Sequence, residues 1–305
     1  MSTASPALRP VSNGLSTTDY GLYAVTVMAW GFSWVAMKGQ VATVPAEVSV
    51  FWRFVLAAAI MMAWARYRGH GLSFGFRDHL RFAGLGALIF STNFTLFYYG
   101  AASLPSGLLA VIFSTASIFN LFLGLVLFGQ RPSLMALGAG SLGFAGIGLM
   151  FLPKLTGTEF NSGAALGLAF CVGGTLSFCL GNMLSADTQR RGIGVTPATA
   201  WGMVYGMIFL GLFSAVRGHS FAPEWSLGYL GGLTYLAVVA SVIAFASYLT
   251  LLGRIGSARA GYATVLFPVV ALTVSTVFEG YQWTPLAAAG LVCVLGGNLM
   301  MLRAR

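Results

Sequence analysis

The chain has 305 residues, 57% of them hydrophobic and only 8% charged, with a mean hydropathy of +0.83. Soluble globular domains carry roughly 25% charged residues, so a soluble fold is excluded and a membrane protein is expected. The formal net charge of +9 does not point to nucleic acid, because the basic residues lie in short gaps between apolar runs and form no continuous patch.

Residues 1–18 are polar, include Pro6 and Pro10, and carry no signal-peptide pattern ahead of the first apolar run. They read as a disordered cytoplasmic tail. Apolar runs follow near 20–39, 47–66, 80–100, 106–128, 134–152, 163–186, 197–217, 226–252, 258–279 and 285–302. A helix needs about 20 apolar residues to cross a bilayer and a barrel strand about 10 of alternating polarity. The expected fold is therefore all-α, with ten transmembrane helices.

Loop charge sets the orientation. Of the 16 Lys and Arg, only Lys38, Lys154 and Arg217 fall on the outer side if the N-terminus is inside, Arg53 lies within the second run, and the rest are cytoplasmic. The positive-inside rule then places both termini in the cytoplasm. The stretch "FLPKLTGTEFNSG" (151–163) divides the chain into a first five-helix repeat (19–152), an external linker (153–162), a second five-helix repeat (163–302) and a short cytoplasmic tail (303–305). "WGFSWVAMK" (30–38) overlays "GTLSFCLGN" (174–182), pairing Ser33 with Ser177, Trp34 with Phe178 and Lys38 with Asn182. "YGAASLPSGLLAVIF" (99–113) overlays "LGRIGSARAGYATVL" (252–266), and "VLFGQ" (126–130) overlays "VFEGY" (277–281). An odd number of spans per half inverts the second half, as in secondary transporters whose substrate site lies between the repeats.

The "WG" with downstream lysine in "WGFSWVAMK", the "WRF" before "LAAA", and "SGLLAVIFSTASIFNLFLGLVLFGQ" together resemble the drug/metabolite transporter superfamily, EamA type. Within it, the aromatic amino acid exporter branch (YddG type) is the nearest likeness. Gln130 stands where the family's usual acidic residue would be. The resemblance covers Tyr20 to Leu302 and implies an inner-membrane carrier that exports amino acids and related metabolites.

On the first span, Thr26, Trp30, Ser33, Trp34, Met37 and Lys38 fall on one helical face. They form either a cavity wall, with an ammonium for a substrate carboxylate, or packed tryptophans above a lysine that snorkels to the interface. The sixth span carries Cys171, Thr175, Phe178 and Asn182 on the equivalent stripe. Its amide faces either a cavity or a neighbouring helix, because an unbonded amide in lipid is costly. Ser91, Thr95 and Tyr99 on the third span, Ser114 on the fourth, and Ser241 and Tyr248 on the eighth complete the polar candidates for a substrate cavity. Tyr99 also suits an interfacial belt. Pro268 frees a backbone carbonyl inside the ninth span and is a candidate hinge. Arg53 reads as a structural charge, with Glu47 or Glu279 as candidate partners.

Cys171, Cys179 and Cys293 lie in apolar runs without metal-ligand spacing and read as buried thiols. Nucleophile–base pairs, HExxH and a phosphate loop are absent from the sequence, as are selectivity-filter and voltage-sensor patterns. No enzyme, ion channel, cofactor or metal is therefore expected. The partners expected are small-molecule substrates (amino acids) and membrane lipids, with no nucleic acid. The alternatives are a proton-coupled exporter of other drug-like or metabolite substrates, and a structural membrane protein without transport.

Overall fold

A computed structural model of the chain describes residues 15–41, 44–129, 133–155, 162–260 and 262–303, and these are all-helical, without strands. Among the described residues, eight helices are long and apolar enough to cross a membrane; Ser106–Asn120 and Ala263–Glu279 are shorter apolar helices. The first half holds α1 (Thr17–Lys38), α2 (Ala46–Tyr67), α3 (Phe76–Leu85), α4 (Phe94–Ala101), α5 (Ser106–Ser114), α6 (Ala116–Phe128) and α7 (Leu134–Leu155). The second half holds α8 (Ser162–Arg190), α9 (Val195–Val216), α10 (Leu227–Thr234), α11 (Ala244–Ala260), α12 (Ala263–Glu279) and α13 (Pro285–Arg303).

Local chemistry sets several boundaries. Ser16 caps α1: its hydroxyl accepts from the Asp19 N–H while the Asp19 carboxylate accepts from the Ser16 N–H. The helix therefore begins at Thr17, inside the stretch read from sequence as a tail; residues 1–14 lie outside those described. Gly280 takes a left-handed φ of 65° and stops α12 immediately after Glu279. The run read as one fourth span is two helices, separated at Thr115. Two π-helical stretches also interrupt expected helices. The segment π1 (Gly86–Asn93) joins α3 to α4, and π2 (Tyr235–Ile243) joins α10 to α11. A π turn shifts the hydrogen-bond register and often marks a functional site. Periodicity cannot reveal it, because no residue type in GALIFSTN or YLAVVASVI specifies a shift of hydrogen-bond register.

The halves interlock. α2 packs on α9, α5 on α12 and α7 on α13. α1 lies against α12, α11 and π2, while α8 lies against α5, α6, α4 and π1. α2 also meets π2, as α9 meets π1. Each of these contacts between the halves thus has a counterpart when the halves are exchanged. Glycines allow the closest approach, between α7 and α13. A Cβ on Gly146 would stand 2.5 Å from the Gly290 carbonyl oxygen, and one on Gly290 2.5 Å from that of Gly146.

Candidate functional site

Where the halves meet, aromatic side chains from both form one connected cluster. Trp34 lies 5.2 Å from Phe97, 5.6 Å from Phe113 and 6.4 Å from Phe267 between ring centres. Phe178 extends the cluster from α8, 4.8 Å from Phe113. Trp30 meets Tyr248 at 5.3 Å, Phe245 at 6.2 Å and Phe267 at 6.3 Å. Trp30, Trp34, Phe178 and Tyr248 therefore come together from α1, α8 and α11. The Trp30 indole N–H donates to the Ala240 carbonyl at 3.2 Å, which lies in π2. Ser177 donates to the Leu88 carbonyl in π1 at 2.7 Å. The buried Trp34 N–H has no acceptor among the described residues.

Arg53 is buried beside this cluster. Its Nε and Nη2 donate to Ser241 Oγ at 3.1 and 3.0 Å, and its guanidinium carbon lies 4.4 Å from the Phe94 ring centre. The Ser241 hydroxyl in turn donates to the Leu236 carbonyl within π2, at 2.8 Å. Neither carboxylate expected from sequence is the partner. Glu47 accepts from Arg217 at 2.7 Å, and Glu279 Oε1 lies 3.5 Å from Lys38. Both acids sit at helix ends, where they are drawn to other cations.

Lys38 donates to the Leu104 carbonyl at 2.8 Å in addition to facing Glu279, and keeps about a third of its side chain exposed (34%). The other Glu279 oxygen accepts from the Ser106 N–H at 3.0 Å, from the Ser106 hydroxyl and from the Ser275 hydroxyl at 2.6 Å. Nearby, Tyr99 donates to Glu47 at 2.8 Å and accepts from Arg217 at 2.9 Å. Tyr99 thus joins an ionic cluster at the bundle end rather than the aromatic centre. At the opposite end Arg81 pairs with Asp187, and Arg254 with Asp19 at 2.6 Å. These four ion pairs all run from one half to the other.

The remaining candidates divide by their bonds. Ser33, Thr26 and Thr175 donate to carbonyls of their own helices, at 2.7, 2.8 and 2.8 Å. Ser114 accepts from Asn298 at 3.1 Å, and Ser117 donates to Asn298 at 2.9 Å, so these residues join α5 and α6 to α13. Asn182 is half-buried on α8, one turn beyond Phe178, and Ser91 is half-buried on π1. Thr95 is buried with its hydroxyl unpartnered among the described residues. Pro268 is buried inside α12, which continues through it. Gln130 lies outside the described residues. Sequence reading missed a buried relay in which the Tyr98 hydroxyl donates to Gln40 Oε1 at 2.9 Å. Gln40 Nε2 donates to the Tyr229 carbonyl at 3.3 Å, and the Tyr229 hydroxyl meets Ser49 at 2.9 Å. Gln40 and Ser49 sit beside loops, where a polar residue gives no signal of burial.

The EamA-like transporter family model matches residues 20–152 and again 157–303. The chain belongs to the EamA-like transporter family. It is 25% identical to the probable amino-acid metabolite efflux pump of Escherichia coli K12, over 93% of this chain and 94% of that one. It is also 25% identical to the uncharacterized transporter YvbV of Bacillus subtilis, over 90% and 88% of the two chains, and to the uncharacterized inner membrane transporter YedA of E. coli K12, over 90% and 89%. A crystal structure at 14% identity superposes with a TM-score of 0.66, covering 94% of this chain and 96% of that one, which shows the shared fold. As an EamA protein with two family repeats, the chain is a multi-pass inner-membrane transporter and not an enzyme.

Proposed function

We propose that this EamA transporter exports neutral amino acids, aromatic ones among them, and related small metabolites by alternating access between two inverted five-helix repeats. The observation that carries this reading is the aromatic cluster shared by both halves, bounded at each end of the bundle by ion pairs that also cross between the halves. A carrier needs an amphipathic site at the repeat interface and closures at both mouths that can exchange. The efflux-pump name of the E. coli relative supports the amino acid substrate and the outward direction.

Ten spans follow if Ser106–Asn120 with α6 and Ala263–Glu279 each cross the membrane beside the eight long helices. Inversion of the repeats is supported by the exchange-matched packing and by π1 and π2 interrupting corresponding spans. Extending the overlay of 99–113 on 252–266 by two residues pairs Thr115, where α5 ends, with Pro268. Both residues weaken the helical ladder at one equivalent level, where a hinge would serve. Purified protein in sealed vesicles, preloaded with unlabelled amino acid, should take up the same labelled amino acid by counterflow. Absence of counterflow across a panel of neutral amino acids would overturn the substrate assignment.

A further inference from the structure

We propose that Arg53 is the binding residue for the carboxylate of an amphipathic monocarboxylate, whose apolar part lies on the Trp30–Trp34 cluster. The inference deepens the amino acid reading and rests on it for the identity of the substrate. Arg53 stands seven residues after Ala46, about 10 Å along α2 from its first residue. It is 5% exposed, and no carboxylate among the described residues lies within 4 Å of it. Its neighbours are all uncharged: the Ser241 and Tyr98 hydroxyls and two aromatic rings, Phe94 and Phe54. Removing a guanidinium from water costs several kcal/mol unless an anion compensates. Lys38, Arg81, Arg217 and Arg254 all have carboxylate partners. Arg53 alone among these cations is both buried and without one.

The surroundings define the ligand. One cation matches one negative charge, so a carboxylate suits the site better than a phosphate dianion, which would leave a buried net charge. A guanidinium also matches the two oxygens of a carboxylate in a planar fork. Arg53 reaches Ser241, and the adjacent Ala240 carbonyl holds the Trp30 indole. The π2 stretch therefore sets the cation next to the aromatic cluster, where the Trp34 N–H is unpartnered. An amino acid with an apolar side chain supplies this carboxylate and surface together with an ammonium that Arg53 does not pair, and 3-phenylpropionate supplies them without it.

The test uses the full-length protein, with Arg53→Met and Arg53→Lys, in vesicle counterflow and in thermal unfolding with L-phenylalanine, its amide, or 3-phenylpropionate. Phenylalanine and phenylpropionate should raise the unfolding temperature of the wild type, and the amide should not. Arg53→Met should cut counterflow at least tenfold and lose both ligand shifts, while the empty protein stays as stable or gains stability. Arg53→Lys should insert normally with KM raised about tenfold, since the fork is lost. Counterflow by Arg53→Met within twofold of wild type would overturn the proposal, as would an unchanged KM in Arg53→Lys. The latter criterion also decides the case if Arg53→Met fails to insert. If phenylpropionate shifts only proteins that keep Arg53 while no amino acid is transported, the amino acid reading fails and the carboxylate site stands.

Discussion

Lys38 Nζ lies 3.5 Å from Glu279 Oε1, and the two residues join the last turn of α1 to the last residue of α12 across the two halves of the chain. The pair is partly exposed, so it is worth about 0–1 kcal/mol. Such a contact biases a mouth toward closure without locking it. Lys38→Met should therefore speed labelling of a cysteine placed at the buried Met37 by up to about fivefold, the factor that 1 kcal/mol spans. It should also lower amino acid counterflow while insertion stays normal. Lys38→Arg should keep labelling slow, because it preserves a cation facing both Glu279 and the Leu104 carbonyl. Unchanged labelling in Lys38→Met would show that the pair does not hold this end closed.

Topology is open to a direct check. In a background lacking Cys171, Cys179 and Cys293, single cysteines at the exposed positions Gly39 and Ser220 should react with impermeant reagent in intact cells. Those at the exposed positions His70 and Gln189 should react only after permeabilisation. Gln40 is a poor reporter because it is 1% exposed and bonded to Tyr98 and Tyr229. Reaction at His70 in intact cells would reverse the proposed orientation.

Energy coupling follows from where the acids sit. Glu47, Asp19, Asp187 and Glu279 lie at or near helix ends and pair with cations, and Asp78 caps the start of α3. A facilitative carrier is the expected outcome: counterflow should proceed with no pH, sodium or voltage gradient imposed. Accumulation above equilibrium driven by a pH gradient alone would reveal proton coupling. His79, whose Nδ1 lies 3.1 Å from the Tyr205 hydroxyl, would then be the first residue to replace.

The α7–α13 contact predicts a sharp contrast among glycines. Gly290→Leu would force the two backbones apart and should abolish a monodisperse, folded protein in detergent. Gly290→Ala should destabilise by about 1–3 kcal/mol through overpacking. Gly148→Ala meets nothing within 4 Å and should leave the unfolding temperature unchanged. Equal tolerance at Gly290 and Gly148 would contradict the close approach.

Composition and run length made the helical membrane fold legible, because twenty apolar residues admit few other structures. The stripe of Trp30 and Trp34 was legible for a similar reason: helical spacing puts both on one face, and the structure joins them to Phe178 and Tyr248. Partner choice was not legible. Arg53 reads from sequence as one half of an ion pair, yet the structure sets it against Ser241, Tyr98 and Phe94, which lie far along the chain. Tyr99 reads from sequence as a cavity or interfacial-belt residue, because its position on the helix gives no sign of Arg217 beside it. The π stretches are not legible because no residue in them demands the shifted hydrogen-bond register.

The four ion pairs between the halves have an electrical consequence. At one end the first half contributes Lys38 and Glu47 and the second Arg217 and Glu279; at the other end the first half contributes Asp19 and Arg81 and the second Arg254 and Asp187. Each half therefore brings one positive and one negative group to each mouth. Separating the halves at either end parts equal and opposite charges on each side, so no net charge of these eight groups is carried through the field. Moving one elementary charge across 100 mV is worth about 2.3 kcal/mol, and this arrangement spares the opening of either mouth that term. In the alternating access proposed above, the membrane potential would then act on what is bound between the halves rather than on these four ion pairs.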